Sequence, residues 1–380
     1  MRITALVKSH DHVCCRYRVA AFRAHLEVLG HRVDIRPWSG PWFLRQMLPS
    51  FLGGIDALVI QRKLFPPWQL NLLRRRVRWL IYDFDDSIFL RSSYNPRGRE
   101  CPRRFGQFRH MVQTADIVIA GNSYLHDQAT ALAEPAKVHL IPTCVDVGRY
   151  SLARHDPHGA RVKLAWIGSS STIRGLEKIH DLLDRLGKGL PQLELKVICD
   201  RSLLLHHLPV EFRPWREATE TAELADADIG ISWLPDDGWS KGKCGLKVLQ
   251  YMTAGLPVVA NPVGMQKKWV RPGQTGFLVE TPDEWEDAVQ LLARDPSLRR
   301  RMGLAGRRLV EAEYHVSRGA AAWEQVVRTL ETPSVVSRFP DHARPAEISN
   351  LQLPISNCEL KTGIPRDVSA VSTSSLSVAG

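Results

Sequence analysis

Two periods of hydrophobic spacing alternate along this chain. Short runs rich in branched side chains occur at 3–7, 32–36, 55–61, 77–82, 116–120 and 138–141, and each reads as a buried strand. Between them apolar positions recur at helical spacing, most clearly over 18–29, which Gly30 closes. The pattern stops between Pro142 and Arg161, where loop-forming residues dominate. A second series then begins: strands at 162–167, 193–199, 229–233 and 256–260, with helices near 176–186 and from about Cys244. Further helices are expected at 282–294, 297–313 and 316–330. Strands separated by helices predict parallel pairing through right-handed crossovers. The expected architecture is therefore α/β: two Rossmann-like, doubly wound parallel-sheet domains, 1–150 and 162–314, joined by a linker at 151–161. The helix at 315–331 is placed to pack back on the N-terminal half. The stretch 332–380 is rich in Ser and Pro without periodicity, and is expected to be a disordered tail. Two such halves imply a cleft, and ligands of these sheets sit beyond the carboxyl ends of the strands.

Composition narrows the partners. The chain has 380 residues and a formal net charge of +11, so acidic partners are expected: nucleotides, phosphorylated lipids, an anionic membrane face or nucleic acid. Nucleic acid is disfavoured because no helix-turn-helix, zinc or RNP-like pattern occurs. The seven cysteines are scattered, with no C-x-x-C pair and no histidines at metal-ligand spacing, which points to free thiols in a reducing compartment. Neither a signal peptide nor an apolar run of membrane-spanning length is visible. The expected location is cytoplasmic. A peripheral position on the inner membrane face stays open, because Arg74–Arg78 and the arginine-rich stretch 91–104 form basic surfaces.

The densest chemistry lies in 241–264, KGKCGLKVLQYMTAGLPVVANPVG. Lys241, Lys243 and Lys247 stand at or just before a helix N-terminus, the end that favours acids, and no local acid offsets them. A bound diphosphate would resolve the repulsion, since backbone N–H groups, helix dipole and lysines together make an anion site. A second turn, Trp166-Ile167-Gly168-Ser169-Ser170-Ser171-Thr172-Ile173-Arg174-Gly175, follows the first strand of this half. Its small residues allow backbone amides to approach phosphate oxygens, with Arg174 as a charge partner.

These residues carry a family resemblance. The stretch GLKVLQYMTAGLPVVA, then NPVG, then Gly276-Phe277-Leu278-Val279 resembles the donor-binding core of GT-B glycosyltransferases of family 4. Ala115–Val118, Asn122-Ser123, Ile141-Pro142, Ile167-Gly168 and Asp226–Gly230 match as well. The resemblance implies transfer of a sugar from a nucleotide-sugar with retention of anomeric configuration, without a metal or other cofactor. It implies donor contacts at Gly168, Ser169, Thr172, Trp239, Gly245, Leu246 and Gln250, with Lys243, Lys247, Arg174 and Asp85 in catalysis. The family's two glutamates fall on Gly242 and Gln250, and its Arg and Lys pair on Ser169 and Arg174, so Lys243 and Lys247 read as replacement cations.

In the N-terminal half, Tyr82-Asp83-Phe84-Asp85-Asp86-Ser87 places carboxylates at a strand's carboxyl end. The resemblance makes Asp85 and Asp86 contacts to donor or acceptor hydroxyls. A metal-holding D-x-D, a phosphatase-type nucleophile motif and a structural loop cap remain open for the same residues. Arg16, Arg18, Asp86 and Asn122 complete the expected acceptor side, facing a glycan or lipid-linked acceptor. Two functions follow: a transferase, or a scaffold or sensor that binds nucleotide-sugars without turnover.

Overall fold

The apolar runs of the first half form strands β1 (Arg2–Val7), β2 (Arg32–Pro37), β3 (Ala57–Gln61), β4 (Trp79–Phe84), β5 (Ile117–Ala120) and β6 (Val138–Leu140). They pair in parallel in the order β2-β1-β3-β4-β5-β6. In the second half, β7 (Val162–Ile167), β8 (Leu193–Cys199), β9 (Val210–Pro214), β10 (Ile229–Ser232), β11 (Val258–Ala260) and β12 (Gly276–Leu278) pair in parallel as β12-β11-β10-β7-β8-β9. The structure is a computed structural model and describes residues 1–38, 54–156 and 161–331. The tail expected from 332 onward and part of the linker lie outside the described residues.

Strands covered on both faces by helices need no polar alternation. β3 and β4 are buried at every position, which is why they stand out in the sequence. Two strands were not expected there. β9 reads Val-Glu-Phe-Arg-Pro on a sheet edge, half-buried at two positions and exposed at three, so it carries no apolar run. β12 is three residues long and begins at Gly276, where a Cβ would lie 1.9 Å from the Val258 carbonyl oxygen. Only glycine permits that approach of two backbones.

The first helix begins before the expected position, at Val13, and passes through a π-helical segment, Arg16–Ala20, into the α-helical segment Ala21–Val28. The wide turn buries Arg16, Tyr17, Arg18 and Val19 in succession, more than one face of a regular helix presents. The helix expected near 176–186 is divided into Arg174–Lys178 and His180–Gly189. The last helix, Val316–Glu331, returns to the N-terminal half. Its Trp323 ring lies 6.5 Å from that of Phe22, and a Cβ at Gly319 would lie 2.5 Å from the same phenylalanine. Loops beyond the carboxyl ends of β4 and β5 meet the segment 238–244 after β10, so the two sheets face one another across their carboxyl edges.

Candidate donor site between the two sheets

In the second sheet the chain winds outward in opposite directions from β7 and β10, which leaves a crevice beyond their carboxyl ends. The turn after β7 occupies one wall. Gly168 is required there, because a Cβ would lie 2.3 Å from the Trp166 ring. Ser169 donates its backbone N–H to Thr172 Oγ1 at 3.1 Å, and Asp200 accepts the backbone N–H of Ser170. Ser169, Ser170 and Ser171 remain exposed. Arg174 follows as the first residue of its helix, with one guanidinium nitrogen donating to the Tyr94 carbonyl at 3.2 Å.

The helix Leu246–Thr253 forms the other wall. Its N-cap Gly245 has φ of 58°, the left-handed region that favours glycine, and no side chain caps the first turn. A Cβ at Gly245 would also lie 2.4 Å from the Trp269 ring. Leu246 is half-buried against the core beneath the helix. Lys247 places its ammonium 4.1 Å from the Trp166 ring centroid, and Lys243 lies 3.7 Å from that of Trp239. Burial, and then repulsion by Lys243, lowers the Lys247 pKa to about 7.

Lys243 finds its acid in the other half of the chain, Asp86, at 2.8 Å; Lys241, expected to have no local acid, pairs with Asp236, five residues before it, at 3.0 Å. Arg62 pairs with Asp86 at 2.5 Å and with Asp85 at 3.3 Å, and it also contacts the Cys14 sulfur. Burial opposes ionisation of Asp86, but Lys243, Arg62 and the Ser87 backbone N–H outweigh it and hold its pKa below the ordinary value. Asp85 and Asp86 therefore face a cation cluster at the domain junction. Nearby, burial and then Arg62 lower the His12 pKa to about 4, which leaves the ring neutral and its Nδ1 accepting from the Cys14 N–H.

Four residues expected to face ligands are engaged elsewhere. Arg18 is fully buried, paired with Asp83 and donating to the Ile141 carbonyl at 2.7 Å, so it secures the first helix to β4 rather than an acceptor. Arg16 pairs with Glu220 at 2.6 Å and Glu217 at 3.0 Å across the two halves. Asn122 accepts from the Leu125 N–H at 2.8 Å, as an N-cap, and donates to the carbonyls of Lys241 and Lys243 at 3.2 Å. These bonds tie it to the lysine segment. The Gln250 amide donates to the hydroxyls of Tyr17 at 3.1 Å and Tyr150 at 3.2 Å, inside a buried polar cluster with Glu220. Its nitrogen is thus committed to the junction.

Gly242 is occupied from the other half. A Cβ there would lie 2.0 Å from Ser87 Oγ, which itself donates to the Gly238 carbonyl at 2.8 Å. Sequence reasoning passed over Arg62, Ser87 and Glu220. Only Arg62 carries a local mark, a φ of 57° in a non-glycine residue after β3, and that mark belongs to the backbone. The basic surfaces are partly consumed too. Arg74 pairs with Asp116 at 2.9 Å, Arg99 with Asp237 at 3.1 Å, and Arg104 donates to the Leu90 carbonyl at 2.6 Å.

Residues 239–309 match the family described as Glycosyl transferases group 1. The chain is 30% identical over 253 residues to a D-inositol 3-phosphate glycosyltransferase of Actinosynnema mirum, covering 58% of this chain and 57% of that one. It is 22% identical over 244 residues to an N-acetyl-alpha-D-glucosaminyl L-malate synthase of Bacillus anthracis, covering 59% and 61%. The matches thus span less than two thirds of these relatives' own lengths. Among solved structures, a sucrose-phosphate synthase from Thermosynechococcus elongatus superposes with a TM-score of 0.68 at 16% identity, over 87% of this chain and 99% of that one. Anabaena HepE, in complex with UDP and glucose, gives 0.59 at 16% identity over 87% and 99%. The fold is GT-B. Within that fold the chain resembles the glycosyltransferases of group 1.

Proposed function

We propose that this protein transfers a sugar from a nucleotide-sugar donor to a glycan or lipid-linked acceptor, with retention of configuration and no metal requirement. The observation that carries the reading is the convergence of Lys243 and Lys247 beside the uncapped helix start, in the crevice between β7 and β10. Positive charge fixed where a diphosphate departs stabilises the developing charge, and the leaving phosphate oxygen can take the acceptor's proton. Asp86 holds Lys243 until a donor competes for it. Arg174 adds a cation at the far wall, and Gly168, Ser169 and Thr172 shape the turn that meets the phosphates. Trp239 stacks on Lys243 and borders the sugar side.

The acceptor side we place on the N-terminal half, at a depression of about 470 Å³ beyond the carboxyl end of β3 that is lined by Lys63, Arg103 and Arg104 together with Gln69 and Gln107. That lining suits an anionic acceptor, and the names of two relatives, D-inositol 3-phosphate glycosyltransferase and N-acetyl-alpha-D-glucosaminyl L-malate synthase, both contain an anionic group. A role in cell-surface polysaccharide or glycolipid synthesis, on the cytoplasmic membrane face, fits the basic surface. Among the described residues no helix is long and apolar enough to cross a membrane.

A second reading, a donor-binding scaffold without turnover, is favoured by one observation: Ser87 fills the space beside Gly242, the position onto which the resemblance maps the family's first glutamate. Calorimetry with UDP-, GDP- and ADP-sugars, followed by assay of transfer and donor hydrolysis, separates the two. Binding with turnover that falls at least about tenfold in Lys247→Ala supports the transferase. Binding without any turnover supports the scaffold, and unchanged turnover in Lys247→Ala removes that lysine from the mechanism.

A further inference from the structure

We infer that the C-terminal half carries a divalent-metal site, formed by His180, Asp184 and His206 and separate from the lysine cluster. His180 and Asp184 are four residues apart on the helix His180–Gly189, so they share one face. The loop that follows β8 returns over this helix. Its His206 and His207 N–H groups both donate to Asp184 Oδ1 at 2.9 Å. A Cβ at Gly187 would lie 2.4 Å from the His207 carbonyl oxygen, so glycine lets the loop lie directly on the helix. With Oδ1 held by the backbone, Oδ2 points to His180 Nδ1, 3.9 Å away. The His180 and His206 rings stand 6.0 Å apart at 73°.

One ligand atom from each of the three side chains lies within 4.8 Å of the others. Ligands bonded to zinc at about 2.0–2.2 Å sit roughly 3.4 Å from one another, a closure that rotation of the exposed His206 ring supplies. Two imidazoles and a carboxylate select zinc, nickel or copper over magnesium or calcium. The hydrogen bonds to Oδ1 are the outer-shell support that orients such a carboxylate. Asp181, 3.5 Å from His180 Nδ1, competes for that ring while no metal is bound.

The metal would fasten the loop after β8 to the helix. That loop starts at Asp200, which accepts the Ser170 N–H, so the site braces the turn after β7 from outside. This inference does not depend on the transfer reading. The test uses the full chain, made without a polyhistidine tag, stripped with chelator and titrated with Zn²⁺ by calorimetry, with Co²⁺ spectra as a geometric readout. Wild type is expected to bind a single equivalent, to show tetrahedral cobalt bands and to melt at a higher temperature with metal. His206→Ala and His180→Gln are each expected to lose the step while keeping the wild-type circular dichroism spectrum. Absence of a one-equivalent step in wild type, or equal affinity in His206→Ala, overturns the site.

Discussion

Lys247 is a lysine whose charge is conditional. Its pKa, lowered to about 7 by burial and then by Lys243, leaves it partly neutral at neutral pH. A bound diphosphate favours the charged form, so binding above pH 7 must take up a proton. Donor affinity should therefore fall as pH rises from about 7, by up to about tenfold per unit until the restored pKa is reached. Calorimetry across that range checks the slope, and Lys247→Arg should flatten it because guanidinium stays charged. Gly242 offers a second test at this scale. Gly242→Glu drives a side chain into Ser87, so activity should drop at least about tenfold. Adding Ser87→Gly should recover part of the loss. Recovery in the double variant no greater than the product of the single effects would sink the steric account.

At the scale of elements, the π-helical segment Arg16–Ala20 connects the two halves. It turns Arg16 toward Glu220 and Tyr17 toward Tyr150 and Gln250, while Arg18 reaches Asp83 on β4. Glu220 is buried and also accepts from Trp215 at 3.0 Å. Removing Arg16 leaves that carboxylate without its closest cation, so Arg16→Ala should destabilise the protein by about 3 kcal/mol. A urea melt measures it, and Arg16→Lys should recover only part, since lysine cannot reproduce the forked contact to Glu220 and Glu217. The strands of both sheet centres were legible because continuous burial writes continuous apolar runs. β9 and β12 were not, because an exposed edge and a three-residue pairing leave no periodic trace.

For the whole molecule, the last helix joins the end of the described chain to its start. Val316–Glu331 buries Trp323 against Phe22, and Gly319 permits the close approach. Trp323→Ala should cost about 3 kcal/mol in thermal or denaturant unfolding, through lost burial and the cavity left behind. A cost near zero would mean that the helix contributes little to the fold.

The sequence by itself determined the α/β class, its two successive series of strands and the lysine-rich helix start, since each is written in local periodicity or local charge. It also marked the turn at Gly168–Thr172, because close backbone approach demands small residues wherever it occurs. Tertiary structure decided which charges are free. Asp86 and Lys243 are 157 residues apart, Arg16 and Glu220 are 204 apart, and Ser87 lies opposite Gly242 from the other sheet's side. A side chain's charge is local to the sequence, but the partner that neutralises it is chosen by the crossing of two sheets. For that reason Arg16, Asn122 and Gln250 resembled ligand contacts in the sequence and have their partners across the junction of the two halves, while Arg18 is held within the first half by Asp83.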